Sequence, residues 1–266
     1  NIGSAATLIG NPQNMLIGSV LKLDFGTYLR AALPPVAISL GLLWLWLAYG
    51  PGSGAAQPAP RSDVADDEHD FDGFQTAKGL LVAAALMAVF LFTDWPRDVA
   101  ALVGAGVLLL SRRLHSAHVM GFVDWQLLLL FIGLFVVNHA VGTTGIAAQT
   151  VAWLSAQGVH LAEPGPLLVV GVALSNLVSN VPAVMLLLPH LGTAGTPGAD
   201  QAGLLLALAS TFAGNLLLVG SIANLIMVDG AEKNGITIDW KAHARIGIPV
   251  TLASLAVVWG WRVAAG

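Results

Sequence analysis

Three short stretches place polar residues and helix breakers inside apolar sequence. Gly10-Asn11-Pro12-Gln13-Asn14 and Gly220-Ser221-Ile222-Ala223-Asn224 each set a Gly and an Asn four residues apart, and Ser175, Asn176, Ser179, Asn180 and Pro182 interrupt the apolar run 165–190 near its middle. A Gly or Pro break leaves backbone N–H and C=O groups without intrahelical partners, which a bilayer tolerates only where they face protein, water or a bound solute. The N-terminus of a half-helix carries roughly half a positive charge and free N–H groups, which suit an anion; unwound carbonyls and helix C-termini suit Na⁺. Side-chain oxygens of Ser, Thr and Asn complete such a shell without placing a formal charge in lipid.

The candidate substrate and ion contacts are therefore Asn14, Asn180 and Asn224, then Ser179, Asn11, Gly10, Pro12, Ser221, Gly220, Asn176, Thr211 and Asn215. Asn14, Ser179, Asn180 and Asn224 are the set for a Na⁺ ion. Plainer readings stand beside these: Ser179 and Asn180 as caps of the second half of 165–190, with Pro182 in its first turn, and the two Gly-to-Asn motifs as kinks. Thr211, Gly214 and Asn215 are placed on the helix one to three turns before the second break.

The two Gly-to-Asn motifs belong to an internal repeat. Arg30 and Pro34 follow the first copy and Arg245 and Pro249 the second, in the same order and spacing, with Asn14 to Arg30 covering 16 residues and Asn224 to Arg245 covering 21. Counting spans from one copy to the other gives an odd number, so the copies are expected to run through the membrane in opposite directions. Paired broken helices in inverted repeats are the sequence signature of an alternating-access carrier with its site at the repeat interface.

Composition fixes the solvent. The chain is 56% hydrophobic and 10% charged, with a mean hydropathy of +0.78. Soluble domains carry about a quarter charged residues. Spans are expected at 1–21, 31–50, 79–94, 97–111, 125–140, 202–228 and 246–264, with 145–157 as a helix lying at the interface and 165–190 as a re-entrant hairpin. The expected fold is an all-α membrane protein: a helical bundle with inverted repeats, a re-entrant hairpin and two broken transmembrane helices. Residues 1–50 form the end of the first repeat, 51–78 an acidic cytoplasmic linker and 79–266 the second repeat.

Sidedness follows from the basic residues. Lys22, Arg30, Arg97 and Arg262 fall on one side and Arg61, Lys78, Arg112, Arg113, Lys233, Lys241 and Arg245 on the other, which places the linker inside and the C-terminus outside. A net charge of −4 gives no nucleic-acid footprint, and the absence of Cys removes disulfides and thiolate chemistry from these residues. The chain opens on Asn1 within apolar sequence without a basic n-region, so no signal peptide is expected and the natural N-terminus is expected upstream.

Other polar residues have ordinary explanations. His69 sits in the acidic linker, Asp124 precedes Trp125 as a helix cap, and His139 and His190 fall near span ends, where proton coupling is the minority reading. No Asp or Glu lies clearly mid-span, which counts against a proton antiporter, and no nucleophile with its base points to an enzyme. No cofactor is expected beyond a coupling Na⁺ or H⁺.

Around these residues the sequence resembles the ion transporter superfamily, which groups sodium-coupled dicarboxylate and citrate carriers, arsenite permeases and some sodium/proton antiporters. Residues 1–19 resemble the broken helix after a first hairpin, 123–137 the helix before an interfacial arm, 175–189 the second hairpin and 213–228 the second broken helix. The resemblance implies about eleven spans in a complete protein, a homodimer, an integral protein of the bacterial inner membrane, and elevator-like movement of hairpins with broken helices. The Ser-Asn-Thr signature of the carboxylate carriers falls on Ser179, Asn180 and Val181, without the third hydroxyl, which leaves a carboxylate, arsenite or another oxyanion open as the small-anion substrate.

Overall fold

In the computed structural model, residues 1–50, 73–110, 121, 123 and 125–264 are described. The expected linker up to residue 72, His69 and Asp124 lie outside them. The described secondary structure is helical: α1 (Pro12–Val20), α2 (Phe25–Tyr49), α3 (Gly73–Phe92), α4 (Arg97–Leu109), α5 (Trp125–Thr143), α6 (Ile146–Ala156), α7 (Pro164–Val178), α8 (Asn180–Leu187), α9 (Ala199–Ala213), α10 (Ile222–Lys233) and α11 (Trp240–Ala264). The chain forms two compact units, Asn1–Ala59 with Leu134–Gly266, and Pro60–Gly133.

In the smaller unit α3 packs against α4. Helix α3 starts at Gly73, so the last six residues of the expected linker are helical instead. The Lys78 ammonium explains how a charge is accommodated there: it donates to the carbonyls of Leu108 and Leu110, at 3.1 and 3.3 Å, where α4 ends. Helix α4 has 13 residues, about 20 Å of rise, and is shorter than a bilayer core.

Among the described residues three helices, α2, α3 and α11, are long and apolar enough to cross a membrane, and the bent pair α5 with α6 makes a fourth if it is one span. A bend of 62° separates 128–143 from Ile146–Ala156, so the expected interfacial helix is a separate, surface-exposed rod. Gly145 makes the bend possible, with a φ of 73°.

The larger unit is organised on α9, whose residues 205–213 are all buried and which packs against α1, α7, α8 and α11. Helices α7 and α8 form a hairpin through the single residue Ser179. Gly171 and Leu187, each eight residues from Ser179, face one another; a Cβ on Gly171 would stand 4.0 Å from Leu187 Cδ1. The partner rods α2 and α11 are both 25 residues long and pack together. Each opens on an Asp cap, Asp24 accepting from Thr27 N at 2.7 Å and Asp239 from Ala242 N at 2.6 Å. Pro34 and Pro249 occupy the same tenth position of the two rods. The repeat read from the motifs therefore extends through the caps and both following helices, at an offset of 215 residues there and 210 at the breaks.

Candidate functional site

At the first break a 3₁₀ turn, Gly3–Ala6, passes into extended backbone at Thr7 before α1 begins at Pro12. Asn11 caps α1 by accepting from Asn14 N at 2.8 Å, and Pro12 fills the first helical position, where no N–H is required. A Cβ on Gly10 would overlap the Ser4 carbonyl, so the chain can pass there only as glycine. The buried Asn14 amide donates to Thr7 O at 3.1 Å and Ser4 O at 3.5 Å.

The second break follows the same plan. Helix α9 ends at Ala213, a 3₁₀ turn runs Leu218–Gly220, and Ser221 caps α10 by accepting from Ala223 N at 3.3 Å. Asn224 donates to Gly214 O at 2.7 Å and Leu217 O at 3.2 Å. Each Asn thus satisfies carbonyls ten and seven residues before it. Gly214 and Asn215 lie in the break, not on the helix before it, because α9 stops at Ala213 and the N–H groups of Asn215 and Leu216 turn back to Phe212 O and Ala213 O.

The breaks are joined side chain to side chain. Asn11 Nδ2 donates to Thr211 Oγ1 at 3.1 Å and to Ser4 Oγ at 3.1 Å, while Gln13 Nε2 reaches Thr211 Oγ1 at 3.3 Å. In the other direction Ser221 Oγ donates to Asn1 Oδ1 at 2.9 Å, and Asn1 Nδ2 donates to Asn215 Oδ1 at 2.9 Å and Asn224 Oδ1 at 3.0 Å. At the offset of 210, Asn1 corresponds to Thr211 and Asn11 to Ser221, so each cap donates to the first residue of the opposite copy.

The hairpin apex seats on the second break. Asn176 Nδ2 donates to Val172 O at 3.0 Å and Ala213 O at 3.1 Å. The buried Asn180 amide, assigned in the orientation that satisfies its surroundings, donates to Ser210 O at 3.0 Å and Gly220 O at 3.3 Å. Two glycines make room for it: a Cβ on Gly214 would stand 3.0 Å from the Asn180 amide, and one on Gly220 would stand 3.0 Å from Asn176 Oδ1. Ser179 makes no capping bond and holds φ 76° and ψ 160°, a region almost confined to glycine that costs a side-chain residue about 1–3 kcal/mol. The expected serine cap is replaced by a strained one-residue turn.

The structure thus brings Asn11, Thr211, Asn215, Ser221 and Asn224 into one network, and Asn180 of the hairpin joins the second break through Gly220 O and Asn176 through Ala213 O. Asn14 keeps its amide bonds within the first break, Gly10 and Pro12 are exposed, and Ser179 is half-buried at the tip. Seven buried side-chain atoms among the described residues have no hydrogen-bond partner: the acceptors Asn14 Oδ1 and Asn176 Oδ1, the donor Asn215 Nδ2, and the hydroxyls of Ser39, Ser175, Thr251 and Ser254. A cavity of about 600 Å³ adjoins the network, with Asn1, Asn215, Asn224 and His243 among its lining and Leu40, Leu43 and Ile246 on its apolar part. His139 is exposed on α5 and His190 ends the hairpin, and neither enters the network.

Sequence reasoning missed Asn1, Gln13 and His243. Asn1 was legible as the counterpart of Thr211, Gln13 stands inside the repeated motif, and His243 is the counterpart of Tyr28 at the offset of 215.

Comparison with known proteins places this arrangement. The chain is 31% identical over 281 residues to an uncharacterised transporter of Mycobacterium tuberculosis, covering 97% of this chain and 63% of that protein. The inner membrane protein YbiR of Escherichia coli is 32% identical over 252 residues, covering 95% of this chain and 60% of its own length. The silicon efflux transporter LSI3 of Oryza sativa subsp. japonica is 28% identical over 323 residues, covering 97% and 67%. The chain therefore spans just under two thirds of the length of the mycobacterial relative. Residues 1–213 match the sequence model of the citrate transporter family, CitMHS, in keeping with the superfamily that the motifs resemble. This chain belongs to the citrate transporter family and is an integral membrane protein.

Proposed function

We propose that the protein is a secondary active carrier that moves a small anion, a carboxylate or an inorganic oxyanion such as arsenite, by alternating access with Na⁺ or H⁺ as the coupling ion. The reciprocal bonding of the two breaks carries this reading: Asn11 to Thr211 in one direction and Ser221 to Asn1 in the other build a polar seam from two half-helix N-termini. The starts of α1, α8 and α10 supply the partial positive charge and N–H groups for the anion. The Na⁺ contacts proposed with it are Asn14, Ser179, Asn180 and Asn224, of which Asn14 offers a buried Oδ1 that accepts no hydrogen bond.

The repeats serve the same reading as two halves, 1–50 and 73–266, that run oppositely through a bacterial inner membrane with 51–72 in the cytoplasm and the C-terminus outside. An Escherichia coli relative named as an inner membrane protein and the distribution of Lys and Arg support that placement.

The experiment is uptake into proteoliposomes of labelled citrate and labelled arsenite, with and without Na⁺ and pH gradients, for the intact protein. Uptake of one of them, reduced at least tenfold by Asn180→Ala and Asn224→Ala in folded protein, is the expected result. Unchanged uptake in both variants removes the site assignment, and Na⁺/H⁺ exchange without any anion dependence replaces the reading with an antiporter.

A further inference from the structure

Helix α11 carries its own depth markers for a bilayer. Residues 246–261 are uncharged and rise about 24 Å, between Arg245 at one end and Arg262 at the other. A hydrocarbon core of about 30 Å therefore brings Arg245 to its edge, and Lys241, about 6 Å further along the axis, to the headgroup layer. Trp240, the first residue of the rod, is exposed at the same level, where aromatic rings anchor spanning helices.

Lys241 and Arg245 are four residues apart, share one face of the helix and are both exposed. Nearby carboxylates are engaged elsewhere: Asp229 holds Lys233 at 2.6 Å, and Asp239 accepts from Ala242 N at 2.6 Å as the cap. Lys241 Nζ stands 5.6 Å from the centroid of the Trp240 ring. Further into the membrane the same face continues as Ile248 and Leu252, both exposed, so two cations stand above an apolar track. The opposite face is turned inward, with His243 Nε2 3.0 Å from Asn215 O and Gly247 buried.

The first copy of the repeat lacks this set. Its Tyr28 makes the matching inward bond, donating to Ala5 O at 3.0 Å. On the outward face, at the offset of 215, Lys241 corresponds to Gly26 and Arg245 to Arg30, whose Nη2 donates to Thr27 Oγ1 at 3.3 Å. The pair of open cations is thus a property of α11 alone among the two rods.

We propose that the outer face of α11 binds an anionic phospholipid, with the phosphate between Lys241 and Arg245 and an acyl chain along Ile248 and Leu252. This site does not rest on the carrier reading. Arg presents a planar fork of N–H groups to a phosphate and Lys a point charge, and both long stems stay on apolar surface while their heads reach the headgroup layer. A zwitterionic headgroup brings its own cation and gains less from the pair.

The test is the rise in melting temperature of the intact protein in a neutral detergent, titrated with short-chain phosphatidylglycerol, short-chain phosphatidylcholine and, separately, glycerol phosphate. Each variant is read against its own lipid-free value, so a change in basal stability cancels. Wild type is expected to bind phosphatidylglycerol about tenfold more tightly than phosphatidylcholine, and Lys241→Gln and Arg245→Gln to lose about fivefold each. Lys22→Gln combined with Arg30→Gln, at the start of α2, changes net charge as much as the Lys241 and Arg245 pair and should keep the preference. Equal affinity for the two lipids, or a preference that survives the loss of both Lys241 and Arg245, overturns the site. An equal rise with glycerol phosphate shows a site for free phosphate and overturns the lipid.

Discussion

The Asn11 carboxamide donates to the Thr211 hydroxyl at 3.1 Å, and that bond fastens the first break to the buried rod that leads into the second. Gln13 shares the same acceptor, so one hydroxyl holds two amides. Thr211→Val keeps the shape and removes the acceptor, leaving both amides short of a partner in a buried place. The expected cost is about 1–3 kcal/mol of stability, read by chemical unfolding in detergent, and Thr211→Ser should recover most of it.

Glycines at the seat of the hairpin should respond sharply to a single methyl. Gly214→Ala and Gly220→Ala bring a Cβ to 3.0 Å from the Asn180 amide and the Asn176 oxygen, and both should lower uptake at least tenfold. Gly41→Ala, in α2 with nothing within 4 Å of the added carbon, is the control and should leave uptake unchanged while stabilising the helix by up to about 1 kcal/mol. Equal losses in all three would refute the seat.

Ser179 separates strain from function. Ser179→Gly relaxes a backbone that only glycine adopts cheaply, so the melting temperature should rise, by an amount corresponding to about 1 kcal/mol or more. Uptake should fall at the same time if the hydroxyl belongs to the ion shell. A melting temperature that drops would show that the neighbouring helices do not impose the conformation.

Asp24 gives a pH signature outside the membrane-spanning rods. Its hydrogen bond with Thr27 holds the carboxyl below the ordinary carboxylate range. A depressed folded value means that the stabilisation is present above the unfolded value, near 3.9, and is lost as pH falls through the lower folded one. Asp24→Asn keeps a cap and removes the charge, so wild type should be more stable by about 0.5 kcal/mol at neutral pH, the two converging on acidification. The site is exposed, so the difference should shrink in high salt as well.

Much of this was legible from the residues. The Gly-to-Asn spacing identified both breaks, because an interrupted helix needs a side chain to satisfy its stranded carbonyls and Asn reaches them from the following turn. The hairpin was legible from Ser179, Asn180 and Pro182, and the rods α2 and α11 from their apolar length. Three features were hidden. The end of α9 at Ala213 depends on local turns at Asn215 and Leu216 that no breaker before Gly214 announces. The helical state of 73–78, read from the sequence as linker, goes with carbonyls 30 and 32 residues away that receive Lys78. The positive φ of Ser179 is imposed by the two helices it joins, where a sequence suggests only an ordinary cap.

Helices α2 and α11 match in length, in their aspartate caps and in the position of one proline. Each rod thereby has a counterpart of the same length and cap in the same chain. Exchange of 25–49 for 240–264 would move Tyr28 and His243 into each other's surroundings in one step, so that the molecule supplies from within itself the parts for asking which differences between its halves matter.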